Sequence, residues 1–101
     1  MSSLLVDLQD SVLRVTMNRP ERSNALTTEM LVQMTEAVRS ARARGARAMV
    51  LTGAGRNFCS GAETGLLASG EDREEFVKRS WEALDAIAVA PVPVVGALNG
   101  P

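Results

Sequence analysis

The chain has 101 residues, of which 46% are hydrophobic and 23% charged, with a formal net charge of −1. That length suits one small domain, and the near-neutral balance gives no field to gather nucleic acid or an anionic membrane surface. With no histidine and one cysteine, the chain can build neither a Ser-His-Asp or Cys-His nucleophile nor a structural zinc site, and 3% aromatics with no tyrosine make no base-stacking surface.

Residues 4–8 and 12–17 read as two strands, with Leu13, Val15 and Met17 at alternate positions and Gln9-Asp10-Ser11 as a tight hairpin turn. The segment Asn18-Arg19-Pro20-Glu21-Arg22-Ser23-Asn24 reads as a loop, because Pro20 has no N–H for a ladder and the polar run has no period. Over residues 28–44, Met30, Leu31, Met34, Ala37, Val38 and Ala41 recur on one helical face. Thr27 is placed to cap that helix, with Glu29 in its first turn, Arg39, Arg42 and Arg44 toward its end, and Gly45 as its stop. A short apolar strand follows at 48–52.

The most distinctive stretch comes next: Thr52-Gly53-Ala54-Gly55-Arg56-Asn57-Phe58-Cys59-Ser60-Gly61-Ala62-Glu63. Small residues let a backbone approach a ligand closely and aim N–H groups at an anion or at a developing negative charge. A second helix is predicted over 72–88, with Phe76, Val77, Ser80, Trp81, Leu84, Ile87 and Ala88 on one side. Pro91 and Pro93 end it, and residues 92–98 read as a buried strand closed by Asn99-Gly100-Pro101. Strand, loop, helix, strand is a βαβ unit, which predicts an α/β fold with parallel strands and right-handed crossovers. No apolar run reaches transmembrane length and the first residues carry no secretory pattern. With a single cysteine, a reducing, cytoplasmic setting is expected. The apolar faces need covering layers that so short a chain supplies poorly, so residues 1–101 are expected to be the N-terminal part of a larger domain, neither stable nor active as an isolated monomer.

Several local chemistries fail on the residues. Gly53-Ala54-Gly55 is not a dinucleotide fingerprint, because Phe58 stands where a third small residue is needed and no helix opens at once. No GxxxxGK[ST] occurs. Cys59 has no base to activate it and reads as a small packing residue. Asp72, Glu74 and Glu75 read as the solvated first turn of a helix rather than as acid/base carboxylates. Arg19 and Arg22 read equally as phosphate grips or as surface charge. Trp81 with Phe76 reads as a core-facing stripe, with the wall of a substrate pocket as the alternative.

Three segments together point further. Asn18-Arg19-Pro20-Glu21-Arg22-Ser23-Asn24-Ala25-Leu26 resembles the NRPxxxNAL segment of the crotonase (enoyl-CoA hydratase/isomerase) superfamily. The run from Ala46 through the Gly-rich stretch to Glu63 resembles that superfamily's RAVVLTGAGRAFCAGAD segment, and Pro93-Val94-Val95-Gly96-Ala97-Leu98-Asn99-Gly100-Pro101 its PVIAAVNGP segment. The order and spacing also match. The resemblance implies a spiral of ββα turns, usually trimeric (a homotrimer or a dimer of trimers), binding an acyl-CoA thioester in fatty acid metabolism, with no cofactor beyond the coenzyme A of the substrate. It implies that the Ala62 N–H is one of two donors to the thioester oxygen. It further implies that main chain at Ser60 and Gly61, with that near Ala25 and Leu26, meets the adenine, and that Arg22 lies near the CoA phosphates. Glu63 departs from the aspartate typical of its position. The family's second oxyanion donor and its acid/base glutamates fall past residue 101. An enzyme of hydratase or isomerase type is the reading that follows, with a non-catalytic acyl-CoA binder of the same fold as the alternative.

Overall fold

A computed structural model of the chain describes residues 3–63 and 70–101. Strands β1 (Leu4–Gln9) and β2 (Val12–Met17) form an antiparallel hairpin. Asp10 and Ser11 turn it with φ of 52° and 65°, the paired left-handed geometry whose twist matches a two-residue hairpin. A 3₁₀ turn at Pro20–Arg22 leads to helix α1 (Thr28–Ser40), then to strand β3 (Ala48–Gly53), helix α2 (Gly70–Ala88) and strand β4 (Val94–Gly96). The sheet order is β1-β2-β3-β4, and both helix-crossed joins, β2 to β3 and β3 to β4, are parallel. This is the expected mixed α/β arrangement.

Period-two alternation sets the register. Leu13, Val15 and Met17 point to one face and are buried there, opposite Leu8, Val6 and Leu4 of β1 and beside Met49 of β3. Helix α1 covers this face, and the whole predicted stripe of Met30, Leu31, Met34, Ala37, Val38 and Ala41 is buried. Its N-cap is Thr27, whose Oγ1 accepts from the Met30 N–H at 3.2 Å. A smaller cluster of Leu31, Phe76 and Ala83 joins α1 to α2, with Leu26 and Ala62 packed on it.

Three expectations shift. Helix α1 ends at Ser40 rather than at 44, because the chain must turn back so that Ala46 can be buried and β3 can pair with β2; residues 41–45 form turns, closed by Ala46 N–H donating to Ala41 O at 3.0 Å. Strand β4 is shorter than 92–98 as a strand, although Met49 N–H donates to Pro93 O and Ala97 N–H to Leu51 O, which extends its pairing at both ends. The third is Trp81. It is 69% exposed, whereas Phe76 is buried together with Ala83 and Ala86. Five helical residues separate Trp81 from Phe76, a rotation of about 140°, so the two cannot share a face. The buried side of α2 follows Phe76 and the small alanines that allow close approach to α1, and Val77, Trp81 and Leu84 point the other way.

No helix among the described residues is long and apolar enough to cross a membrane. The loops after β2, β3 and β4 all leave the carboxyl edge of the parallel strands, the edge where open α/β sheets place their sites. In a complete subunit, Met49→Ala is expected to cost about 2–5 kcal/mol through the cavity it leaves, and Thr27→Ala about 1 kcal/mol through the lost cap. Denaturant unfolding of both variants checks the order; equal losses would contradict the packing described.

Candidate functional site

The site is built from three loops at that edge: residues 18–27 after β2, 54–63 after β3 and 97–101 after β4. Asn24 joins the first two. It is 0% exposed, and a buried amide must find partners for its polar atoms. Its Nδ2 donates to Ala54 O at 2.9 Å and to Asn57 O at 2.7 Å, while its Oδ1 accepts from the Arg19 N–H at 2.8 Å. Its φ of 56° is a left-handed conformation that asparagine tolerates better than most residues. Asn99 does similar work from the third loop. It accepts from Gly53 N–H at 3.2 Å and donates to Gly55 O at 2.9 Å and Asn57 O at 3.3 Å. Pro101 O accepts from the Phe58 N–H at 2.7 Å.

Gly53 lies where these partners converge. A Cβ there would run into the carbonyls of Asn57 and Phe58 and the amide of Asn24, so only glycine lets the loop fold back over the strand end. The chain then runs out through Ser60 to Gly61, whose φ of 107° is open to glycine and strained for other residues.

A parallel bridge between Leu26 and Ala62 fixes the far end of the loop. Leu26 N–H donates to Gly61 O at 2.7 Å, and Glu63 N–H donates to Leu26 O at 2.9 Å. Both bonds belong to Leu26. The Gly61 carbonyl and the Ala62 N–H belong to one trans peptide, in which the two groups point in opposite directions, so the Ala62 N–H faces away from the bridge. Among the described residues it has no acceptor. Ser60 N–H donates to Ser23 O at 3.1 Å. The six residues singled out from the sequence, Arg22, Ala25, Leu26, Ser60, Gly61 and Ala62, therefore lie on two segments stitched side by side. Ser60 and Gly61 are exposed, Leu26 and Ala62 half-buried, and Ala25 buried, with its carbonyl accepting from Arg19 Nη1 at 2.7 Å.

This arrangement and the sequence now meet a known family. The enoyl-CoA hydratase/isomerase family model matches residues 7–101. The chain belongs to the enoyl-CoA hydratase/isomerase family, within the crotonase superfamily. It is 42% identical over 92 residues to a probable enoyl-CoA hydratase of Mycobacterium bovis, covering 91% of this chain and 37% of that protein. It is 41% identical over 96 residues to one of Rhodobacter capsulatus, covering 93% and 37%. The crystal structure of an enoyl-CoA hydratase from Mycobacterium avium subsp. paratuberculosis superposes with a TM-score of 0.86 at 33% identity, over 100% of this chain and 40% of that one. The chain thus spans about two fifths of the length of the relatives it matches.

Within this enoyl-CoA hydratase/isomerase fold, the rim of the site is charged. Glu63 is clamped by two arginines, with Arg19 Nη1 at 2.8 Å from its Oε2 and Arg22 Nη2 at 2.5 Å from its Oε1. The hydrogen bond from Arg22, then that from Arg19, holds the Glu63 carboxyl below its ordinary value of 4.5, and the same carboxylate raises Arg22. Cys59 is half-buried against the core and its Sγ lies 3.4 Å from the Gly61 N–H, in keeping with a packing role. Asp72, Glu74 and Glu75 are exposed on the first turns of α2. Among the described residues, no group of His, Cys, Asp and Glu is placed to hold a metal ion.

Asn24 and Asn99 are the positions of the site that reading the residues one by one did not assign, and Arg19, read as a phosphate grip or as surface charge, turns inward to Glu63 and the Ala25 carbonyl. The signal for Asn24 was its place among polar residues with no period, in a loop that has to turn sharply; that for Asn99 was an Asn-Gly pair at a strand end.

Asn24→Ala is expected to cost about 2–5 kcal/mol in a complete subunit, because it strands buried donors and acceptors and puts alanine in a left-handed conformation; a denaturant midpoint within error of the parent would contradict the clamp. For Glu63, the folded carboxyl titrates below the unfolded one, so the unfolded state takes up the proton first as pH falls. The ion pairs therefore support the fold fully above pH 4.5 and lose that support as pH drops through the lowered value. Carbon-detected NMR titration of Glu63 should give a midpoint below 4.5, and one at or above it would contradict the pairing.

Proposed function

We infer that these residues form the CoA-binding rim and one half of an oxyanion hole in an acyl-CoA-processing subunit of enoyl-CoA hydratase or isomerase type. The observation that carries the reading is the Ala62 N–H, held in place by the bridge on either side of it and left without an acceptor among the described residues. A fixed donor aimed at the thioester oxygen is bonded more strongly as that oxygen gains enolate charge, so it stabilises the transition state more than the ground state. The two-asparagine clamp serves this end, since a donor that needs no reorganisation during reaction contributes most.

In the same reading, main chain at Ser60 and Gly61, with that of Ala25 and Leu26, receives the adenine, and Arg22 meets the phosphates. Support comes from Arg22 being 54% exposed at its side chain, on the same rim as the exposed Ser60 and Gly61. A guanidinium offers a planar fork of donors suited to phosphate oxygens. The second oxyanion donor and the glutamates that move protons or activate water belong to the remainder of the subunit. The reading requires no cofactor besides the coenzyme A carried by the substrate, and it includes assembly as a homotrimer or a dimer of trimers and work in the cytoplasm, in fatty acid metabolism.

Ala62→Pro in the complete subunit tests it. The substitution deletes an N–H that bonds nothing among the described residues, and so it should leave the fold intact while lowering thioester turnover by about 10²–10³. Retained turnover in a folded variant would sink the role given to Ala62.

A further inference from the structure

Glu63 follows Ala62 directly and has no part in the chemistry above, yet it touches both halves of the site. Its N–H donates to Leu26 O at 2.9 Å, one of the two bonds that fix the peptide on either side of Ala62. Its carboxylate reaches Arg19 at 2.8 Å and Arg22 at 2.5 Å. Side-chain exposure rises outward through this set, from 15% at Glu63 and 17% at Arg19 to 54% at Arg22. Arg19 is anchored inward as well, through Ala25 O at 2.7 Å. Arg22 is the outer member, and a guanidinium carries five N–H donors, so pairing with one carboxylate oxygen leaves most of its fork available to an anion.

We propose that Glu63 is a positioning residue that couples anion capture at Arg22 to the aim of the Ala62 N–H. The proposal rests on the acyl-CoA reading, with the CoA phosphates as the anion. It follows from what one carboxylate does in two directions. Toward Arg22 it offsets part of the positive charge and competes with a phosphate for the same donors, so it weakens CoA binding. Toward Arg19 it ties segment 61–63 to the loop that Asn24 locks, so it holds Ala62 in line. An anion that engages Arg22 loads the same ion-pair set, and the pull is passed to the peptide beside Ala62. Binding strength at the phosphates is thereby exchanged for accuracy at the thioester.

This predicts opposite effects on affinity and turnover, a split that a merely structural side chain would not produce. In the complete subunit, Glu63→Gln keeps the shape and removes the charge. CoA affinity by calorimetry should then rise about two- to fivefold at low salt, with the gain shrinking at high salt as surface charges are screened. The kcat on a short-chain enoyl-CoA should fall about tenfold or more as alignment is lost. Glu63→Asp keeps the charge and should return CoA affinity to that of the parent, with an intermediate kcat. Unchanged affinity and kcat in Glu63→Gln would overturn the coupling. So would a joint loss of binding and turnover in both variants with a lowered unfolding midpoint, which is the mark of a general support. A parent subunit that binds no CoA would instead bring down the acyl-CoA reading, and the coupling with it, which separates the two failures.

Discussion

The site depends on one buried amide. Asn24 is enclosed by protein and spends its side chain on three main-chain groups, at Arg19, Ala54 and Asn57. Loops carry backbone groups that no ladder satisfies, and these must be paired or left to water. Here the carbonyls after β3 are paired by an amide from the loop after β2, and again by Asn99 from the loop after β4. Each asparagine replaces solvent with a fixed partner. The Gly-rich segment is consequently held as firmly as a strand end, although it forms no strand.

In the acyl-CoA reading proposed above, that rigidity is what a chain without histidine brings to catalysis. Its part is geometry. The Leu26 bridge engages the Gly61 carbonyl and the Glu63 N–H and leaves the Ala62 N–H, on the other side of the segment, without an acceptor among the described residues. Apolar packing reinforces the same point, since Leu26 and Ala62 rest on the Leu31, Phe76 and Ala83 cluster that joins the two helices. The hydrophobic contact between α1 and α2 therefore sets the height of the site, and the polar clamp sets its shape. The charges of Glu63, Arg19 and Arg22 step outward from that clamp, with Arg22 alone well exposed on the rim.

Much of this could be read from the residues. Alternation in 13–17 and the helical period from Met30 to Ala41 fixed which faces are buried, because burial and period are the same fact seen twice. The Gly-rich stretch announced a close backbone approach, and its resemblance to the crotonase segments selected Ala62 within it. What escaped was whatever depends on partners distant in sequence. Asn24 and Asn57, or Gly53 and Asn99, meet only once the sheet has formed, and nothing in a polar loop says which carbonyl an amide will find. Trp81 was assigned to the wrong side of α2 because a large aromatic dominates any apolar pattern, whereas the buried face is chosen by Phe76 and by alanines small enough to let helices touch. Helix α1 was drawn too long for a related reason: Arg42 and Arg44 continue a helical composition, but β3 must return to pair with β2.

The central claim is that the clamped loop presents the Ala62 N–H to a thioester oxygen. The most direct measurement is a crystal structure of the complete subunit with a non-hydrolysable acyl-CoA analogue. The account predicts the thioester oxygen about 2.7–3.1 Å from the Ala62 nitrogen, with the Asn24 bonds to Ala54 and Asn57 unchanged. An acyl-CoA bound with its carbonyl directed elsewhere, or an Ala62 N–H occupied by a protein acceptor, would contradict it.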